Sequence, residues 1–483
     1  MLVGQKERGI FINGEWRESY SGTYRTITNP ATLEKLTEIS YGGKEDALEA
    51  VEEAKAAFPL WSKKTARERS TFLYKAYEKM LEHKERLAQI LTSEQGKPLS
   101  ESRTEIESAA SYLLWYAEEA NRVYGEIIPS SKANRRSHVI PHAIGVIAAI
   151  TPWNFPASMV TRKLGPSLAA GCTVVLKPAS QTPLTAMEIV KIFEEVGLPK
   201  GVLNLVTGDA RAVGEALTQS PDVRLITFTG STEVGRELMK NSAQHIKKLS
   251  LELGGHAPII IMDDAKLDVA VDLTLASKFR NCGQTCICAN RVYVHKKIAD
   301  SFVEKLVTKV KNMKIGNGNE ESTVIGPMID RNAVEKAAEH VEDAVKNGAA
   351  IASGGNEWDG DLAGYFYEPT VLVNVNDQMK VMNEETFGPV LPIDTFDSVE
   401  DVIEKANQLP YGLAAYVMTE STNHVFKLTE ALEYGIIGVN DVFPATAEAP
   451  FGGIKESGFG KEGGKEGIHE FVEMKYVSIG ITE

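Results

Sequence analysis

Apolar residues recur every third or fourth position through residues 44–120, a spacing that predicts helices. The run from Glu45 to Phe58 (EDALEAVEEAKAAF) is the clearest, a second pattern covers 66–92 and a third covers Ser102 to Tyr124. From 123 to 150 the pattern changes to short β-type runs punctuated by Pro and Gly. Between 146 and 262 short apolar runs alternate with helical stretches. The predicted strands are Val146–Ile150, Thr173–Leu176, Val202–Val206, Arg224–Phe228 and Lys248–Glu252. The helical stretch from Pro183 to Pro199 opens on Pro and nears its end at Gly197. A repeat of ~25–30 residues is the βαβ rhythm of a parallel, doubly wound sheet, which binds ligands at the carboxyl ends of its strands. A second α/β section runs from about residue 257 to about 450, with Ala257 to Asp263 strand-like and Asp300 to Met313 helical. Lys475 to Ile481 reads as a terminal strand without a local hairpin partner, to be paired by another segment or another subunit.

Length sharpens this picture. At ~150 residues per domain, 483 residues suggest two to four domains. Hydrophobic residues at 43% and charged residues at 24% exclude a disordered or collagenous chain. The longest apolar stretches, such as Ala143 to Thr151, fall short of the ~20 residues of a membrane span. The net charge of −14 argues against nucleic-acid binding through the overall field. An anionic small substrate therefore needs local Arg or Lys. Four cysteines are too few for a disulfide framework, yet Cys282, Cys286 and Cys288 sit within one short segment. The N-terminal MLVGQKERGIFING places charges where a leader peptide needs an apolar core. The expected setting is cytoplasmic and reducing.

Several motif matches fail on context. Gly458, Gly460 and Gly463 fit GxGxxG but follow a loop rather than a strand. Gly230 to Gly235 resembles a phosphate loop without its Lys-Ser/Thr, which disfavours an NTPase. His138 and His142 have helical metal-pair spacing, but Pro141 breaks such a helix, and no metal is expected.

The chemistry concentrates in Lys278 to Cys286 (KFRNCGQTC). A thiol behind a Gly-Gln-Thr turn suits a nucleophile with free backbone N–H groups beside it; a buried small hydrophobe is the alternative. Glu252 ends a predicted strand at the pair Gly254–Gly255, and Pro152–Pro156 and Thr229–Ser231 end two others.

In order and spacing, PWNFP (152–156), VVLKPA (174–179), FTGSTEVG (228–235), LELGG (251–255), FRNCGQTC (279–286), EETFGPV (384–390) and PFGGIKESGFG (450–460) resemble the aldehyde dehydrogenase superfamily. The resemblance covers essentially the whole chain. It implies an α/β fold with a Rossmann-type cofactor domain (1–122 and 143–253), an α/β catalytic domain (254–454) and a small β oligomerisation arm (123–142 and 468–483). It implies Cys286 as nucleophile through a thiohemiacetal and a thioester, Asn154 as oxyanion donor and Glu252 as the base that activates water. For the cofactor it implies Trp153, Lys177, Ser180, Gly230, Ser231, Glu385 and Phe387. NAD-selective members often carry Glu where Ser180 stands, so NADP is predicted to be preferred, with NAD as the other cofactor.

The wording around Arg162 and Arg280 resembles succinate-semialdehyde dehydrogenases, in which both positions bind the substrate carboxylate. Arg162 is expected about two helical turns beyond Asn154 and facing the same tunnel. The alternative is that each Arg pairs with a local acid. Those enzymes often carry a Ser before PFGG; here Ala445 occupies that position and Thr446 follows. This leaves glutarate semialdehyde, or a neutral or aromatic aldehyde, as alternatives. Cys288 implies a redox switch with Cys286, against a packed structural thiol. A homodimer or homotetramer is expected, with no nucleic-acid or membrane partner. A cysteine hydrolase, and a binding protein on an inactive scaffold, are the competing classes.

Overall fold

The structure is a computed structural model that describes residues 6, 7 and 9–482. Part of the leader-peptide argument, residues 1–5 and 8, lies outside the described residues, as does residue 483 at the end of the arm.

Five parallel strands form the heart of the first sheet: Lys248–Glu252, Val223–Thr229, Val146–Ile150, Thr173–Lys177 and Leu203–Val206, in that spatial order. Each coincides with a predicted strand to within a residue or two. Ile10–Ile12 and Glu15–Arg17 extend one edge and Gly458–Phe459 closes the other, all antiparallel. The chain leaves the central strand Val146–Ile150 outward on one side, then crosses back to Val223–Thr229 on the other. The strand order therefore reverses at this pair, which opens a crevice at their carboxyl ends.

The helical N-terminal region consists of Lys44–Ser62, Ala66–Glu82, Lys84–Gln95 and Leu99–Glu119. The single pattern expected over 66–92 is two helices. His83 leaves helical geometry (φ −96°, ψ 10°) and caps both. The pattern expected over 102–124 starts earlier, directly after Pro98, and ends as a 3-10 turn over Ala120–Arg122. The last three of these helices and Ser158–Ala170 bury their apolar faces in one core with the sheet, and Lys44–Ser62 buries Ala47, Ala50, Val51 and Ala54 in a second core against it.

The second sheet runs Ala350–Ser353, Thr370–Val373, Val390–Phe396, Ala289–His295, Ala257–Ile261, Ala414–Met418 and Ile436–Val439. Only the edge strand Ala350–Ser353 is antiparallel. Val472–Gly480 pairs antiparallel with Arg135–Ala143, which also pairs with Glu126–Ile128. The terminal strand thus begins three residues before its predicted start and finds its partner within the chain. Ile127, Tyr124 and Tyr476 on this ribbon are exposed.

Candidate active site

The carboxyl ends of the first sheet meet the segments that enter the second. Glu252 ends its strand, and Leu253–His256 run directly into Ala257–Ile261. Thr285–Cys288 likewise lead into Ala289–His295. Gly255 is required here: a Cβ on it would stand 2.7 Å from the Cys286 carbonyl oxygen. Three consecutive left-handed residues, Asn281 (φ 49°), Cys282 (φ 56°) and Gly283 (φ 74°), turn the chain so that Cys286 faces the crevice. Two are not glycine, so the turn carries backbone strain. It is held by Gln95 Nε2 donating to Asn281 Oδ1 at 2.9 Å and by the Asn281 N–H donating to Glu101 Oε2 at 2.8 Å.

Cys286 lines a cavity of about 240 Å³ with Trp153, Asn154, Gly230, Ser231, Glu385 and Phe387, all seven named from sequence. Met159, Leu253 and Lys336 complete much of the wall. Trp153 and Phe387 meet edge to face at 5.5 Å. The Cys286 residue keeps partial exposure to this narrow space. Burial, then the charge of Glu385, push its thiol up to about 12, with Arg162 opposing. Its backbone N–H has no hydrogen-bond partner among the described residues. Asn154 Nδ2 donates to Gln284 O at 3.1 Å, which leaves its second N–H unused. The Asn154 backbone is clamped from behind. Lys97 Nζ donates to Asn154 O at 2.7 Å and to Glu105 Oε2 at 2.6 Å, and Asn281 Nδ2 donates to the same carbonyl at 3.0 Å.

Glu252 lies outside that wall, with both carboxylate oxygens buried and unpartnered among the described residues. Gly452 approaches so closely that a Cβ would stand 2.6 Å from Glu252 Oε1. Burial, then the charge of Glu462, hold Glu252 well above the usual carboxylate range. Glu462 was not anticipated from sequence. Its Oε1 accepts from Lys163 Nζ at 2.6 Å and its Oε2 lies 3.4 Å from Arg162 Nε. Burial works against its charge, but Lys163 and Arg162 outweigh burial and hold Glu462 below the usual range. The Gly-rich GFGKEG segment delivers this residue. It is a turn, with Gly458–Phe459 paired to Leu251–Glu252 and Phe451 bridged to Glu462.

Arg162 is buried among Glu462, Phe451 (3.9 Å to the ring centre) and Tyr112 (5.0 Å). Its Nε and Nη2 donate no hydrogen bond among the described residues. The expectation of two helical turns between Asn154 and Arg162 is corrected. The helix starts at Ser158, after Pro156, so Arg162 sits about one turn into it. Arg280 is half-buried, its guanidinium 5.1 Å from the Phe155 ring centre. Thr446 is exposed, and its carbonyl accepts from Tyr112 Oη at 3.1 Å, which ties its loop to the ring beside Arg162.

Lys177 ends its strand and donates to Pro178 O at 3.1 Å; burial lowers its ammonium to about 8. Ser180 Oγ donates to Gly208 O at 3.2 Å and lies 3.5 Å from Tyr41 Oη. Ser231 caps the helix Thr232–Ser242, accepting from Val234 N at 3.3 Å, and that helix start faces the crevice with unpaired N–H groups suited to an anion. Glu385 accepts from Gly255 N at 3.4 Å, and burial raises it to about 7. Cys288 is buried 3.3 Å from Asn290 Oδ1 and 3.9 Å from Lys278 Nζ, and all four cysteines are free thiols.

The succinate-semialdehyde dehydrogenase [NADP(+)] of Escherichia coli is 50% identical over 97% of this chain and 97% of its own length. The glutarate-semialdehyde dehydrogenase of Pseudomonas putida is 50% identical over 98% of this chain and 97% of its own. The crystal structure of an E. coli NADP-dependent enzyme superposes with a TM-score of 0.97 at 50% identity, covering 98% of both chains. Residues 16–477 match the family described as the aldehyde dehydrogenase family. With a cysteine, an asparagine amide and a buried glutamate gathered at one sheet crevice, the chain belongs to that family.

Proposed function

We propose that the protein oxidises an aldehyde to a carboxylic acid with NADP+, and that the aldehyde is succinate semialdehyde. The observation that carries this reading is the buried Arg162, with two unused N–H donors in the same network as Glu252 and in electrostatic reach of Cys286. Glu462 answers the Arg162 charge from one side at 3.4 Å, and the unpartnered Nη2 is left for a substrate carboxylate. The E. coli relative named for succinate semialdehyde supports the choice.

Cys286 Sγ attacks the aldehyde carbon as its proton passes by way of Glu252 to solvent, giving the oxyanion of a thiohemiacetal. Its thiol at about 12 makes a nearby proton acceptor necessary at neutral pH. The free N–H of Cys286 and the unused N–H of Asn154 hold the oxyanion, where one such donor is worth ~3–4 kcal/mol. A nicotinamide bound beside Cys286 would supply the hydride acceptor that takes the thiohemiacetal to a thioester. Glu252 takes a proton from water, the hydroxide adds to the thioester carbon, and the Cys286 sulfur leaves as the acid departs. Glu462 with Lys163 sets the charge around Glu252 for this step. Lys177, Ser180, Gly230 and Ser231 would hold the adenosine and pyrophosphate, and Trp153, Glu385 and Phe387 the nicotinamide side.

The first sheet with its helices (1–122 and 143–253) would bind the cofactor, and 254–454 would carry the thiol. The exposed apolar ribbon (123–142 and 468–483) would join subunits into a homodimer or homotetramer. Four free thiols support a reducing, cytoplasmic setting. Glutarate semialdehyde is the second reading, favoured by the small Ala445 before the Gly-rich loop and by the P. putida relative.

Absorbance at 340 nm with C3 to C6 semialdehydes, propanal and benzaldehyde tests the proposal. Succinate semialdehyde with NADP+ is expected to give the highest kcat/KM. A higher value for propanal or benzaldehyde would overturn the carboxylate reading.

A further inference from the structure

Beside Lys177 and Ser180 stands a cation that sequence motifs did not flag. The strands Tyr24–Thr28 and Lys35–Ser40 pair in a small separate sheet that also takes in Lys6–Glu7. Gly42 stitches that sheet to the first one: its N–H donates to Thr207 O at 2.8 Å, and its carbonyl accepts from Asp209 N at 3.1 Å. This brings Tyr41 Oη to 3.5 Å from Ser180 Oγ. Arg25, on the first of those strands, places Nη1 3.4 Å from Tyr41 Oη, with its guanidinium 5.6 Å from the Tyr41 ring centre. Arg25 is exposed, and no carboxylate lies within 4.0 Å of it among the described residues. The nearby acid, Asp209, is engaged at the start of helix Ala210–Gln219, accepting from Arg211 N and Ala212 N.

We infer that Arg25 is a cofactor-specificity residue, pairing with the phosphate on the 2′ position of an NADP adenosine ribose while Tyr41 and Ser180 offer their hydroxyls to its oxygens. This rests on the cofactor reading above and assigns the discrimination to a residue outside the motifs. The two hydroxyls serve a plain 2′-hydroxyl as well as a phosphate, so they discriminate little between the cofactors. A phosphate monoester carries about −1.5 to −2 charges at neutral pH, against a chain of net charge −14. Lys177 is a partial answer, because burial lowers its ammonium to about 8. A guanidinium stays charged throughout and forks onto phosphate oxygens. Its exposure costs nothing in the NAD+ complex, where it remains in water.

Titration calorimetry on the cofactor-free protein, without aldehyde, tests this with NADP+, NAD+ and 2′-AMP as probes. Arg25→Ala is expected to weaken NADP+ and 2′-AMP by about three- to tenfold at low salt, as an exposed charge-assisted contact would. NAD+ affinity should stay within about twofold, and Arg25→Lys should restore part of the loss, since Lys binds phosphate as a point charge. An unchanged NADP+/NAD+ ratio in Arg25→Ala, in a protein that prefers NADP+, overturns the inference alone. Equal affinity for both cofactors in the unaltered protein overturns the cofactor reading, and this inference with it.

Discussion

Replacing Lys97 by Met tests whether the buried pair behind Asn154 serves stability, chemistry or both. Lys97 and Glu105 are each about 1% exposed, and Lys97 Nζ also lies 3.8 Å from the Phe155 ring centre. Glu105 keeps two other donors, the Ala157 N–H at 2.9 Å and the Ser158 N–H at 3.2 Å. Removing one partner of a buried ion pair costs about 3–5 kcal/mol, because the other charge stays buried. In a unit of 150–250 residues, at ~2 °C or more per kcal/mol, this lowers Tm by at least about 6 °C. The double variant Lys97→Met/Glu105→Gln removes both charges and should recover part of the loss. The chemical effect is separate. Asn154 O loses a 2.7 Å donor and keeps only the Asn281 amide at 3.0 Å. The amide of Asn154 then loses its fixed aim, and the stopped-flow rate of NADPH formation should fall by about ten- to a hundredfold, part of the ~3–4 kcal/mol of an oxyanion donor. Differential scanning fluorimetry and single-turnover absorbance read the two effects. A lowered Tm with an unchanged NADPH burst would show that Lys97 does not position Asn154. An unchanged Tm would refute the energetic argument itself.

Arg280→Ala should raise KM for succinate semialdehyde at least tenfold while changing KM for propanal little; equal losses on both substrates would remove Arg280 from carboxylate binding. Glu94, buried and accepting from Leu184 N and Thr185 N, is raised by burial to about 8. The folded protein keeps this proton where the unfolded chain has released it, so its stabilising contribution is whole below about pH 4.5 and is lost as pH rises through about 8, up to ~4–5 kcal/mol in all. The Tm of the unaltered protein should therefore fall from pH 5 to 8 relative to Glu94→Gln, and parallel curves would contradict the assignment. If Cys288 forms a reversible bridge to Cys286, peroxide inactivation should be reversed by thiol reductant in the unaltered protein and not in Cys288→Ala; equal recovery in both would leave Cys288 as a packed thiol.

The sheet strands were legible because each is a short apolar run between turns, and the parallel direction of the core follows from the βαβ order. The helix over 66–92 misled because apolar spacing continues across His83, where only backbone geometry changes. Counting helical turns from Asn154 misplaces Arg162, since Pro156 delays the helix to Ser158 and the side chain packs on Glu462 and Phe451 rather than among the residues that wall the Cys286 cavity. What the sequence hid is long-range. Glu462 reaches Arg162 and Lys163 from some 300 residues away, through a Gly-rich turn paired to the strand that carries Glu252. Lys97 reads as a charge in a short loop and Glu105 as a charge on an ordinary helix until packing buries the two against each other. The Glu of Lys-Glu-Gly in that turn and the Lys of Gly-Lys-Pro at 96–98 were the available signals, as charges set beside glycine in segments that otherwise looked like loops.

The central claim is that Cys286 is acylated by the substrate and released by water that Glu252 deprotonates. Intact-protein mass spectrometry of Glu252→Gln, quenched during turnover with succinate semialdehyde and NADP+, measures it directly. A succinyl adduct on Cys286, with a burst of one NADPH per active site and slow turnover after it, is the predicted result. An unmodified Cys286 at full turnover, or undiminished oxidation by Cys286→Ala, would contradict the account.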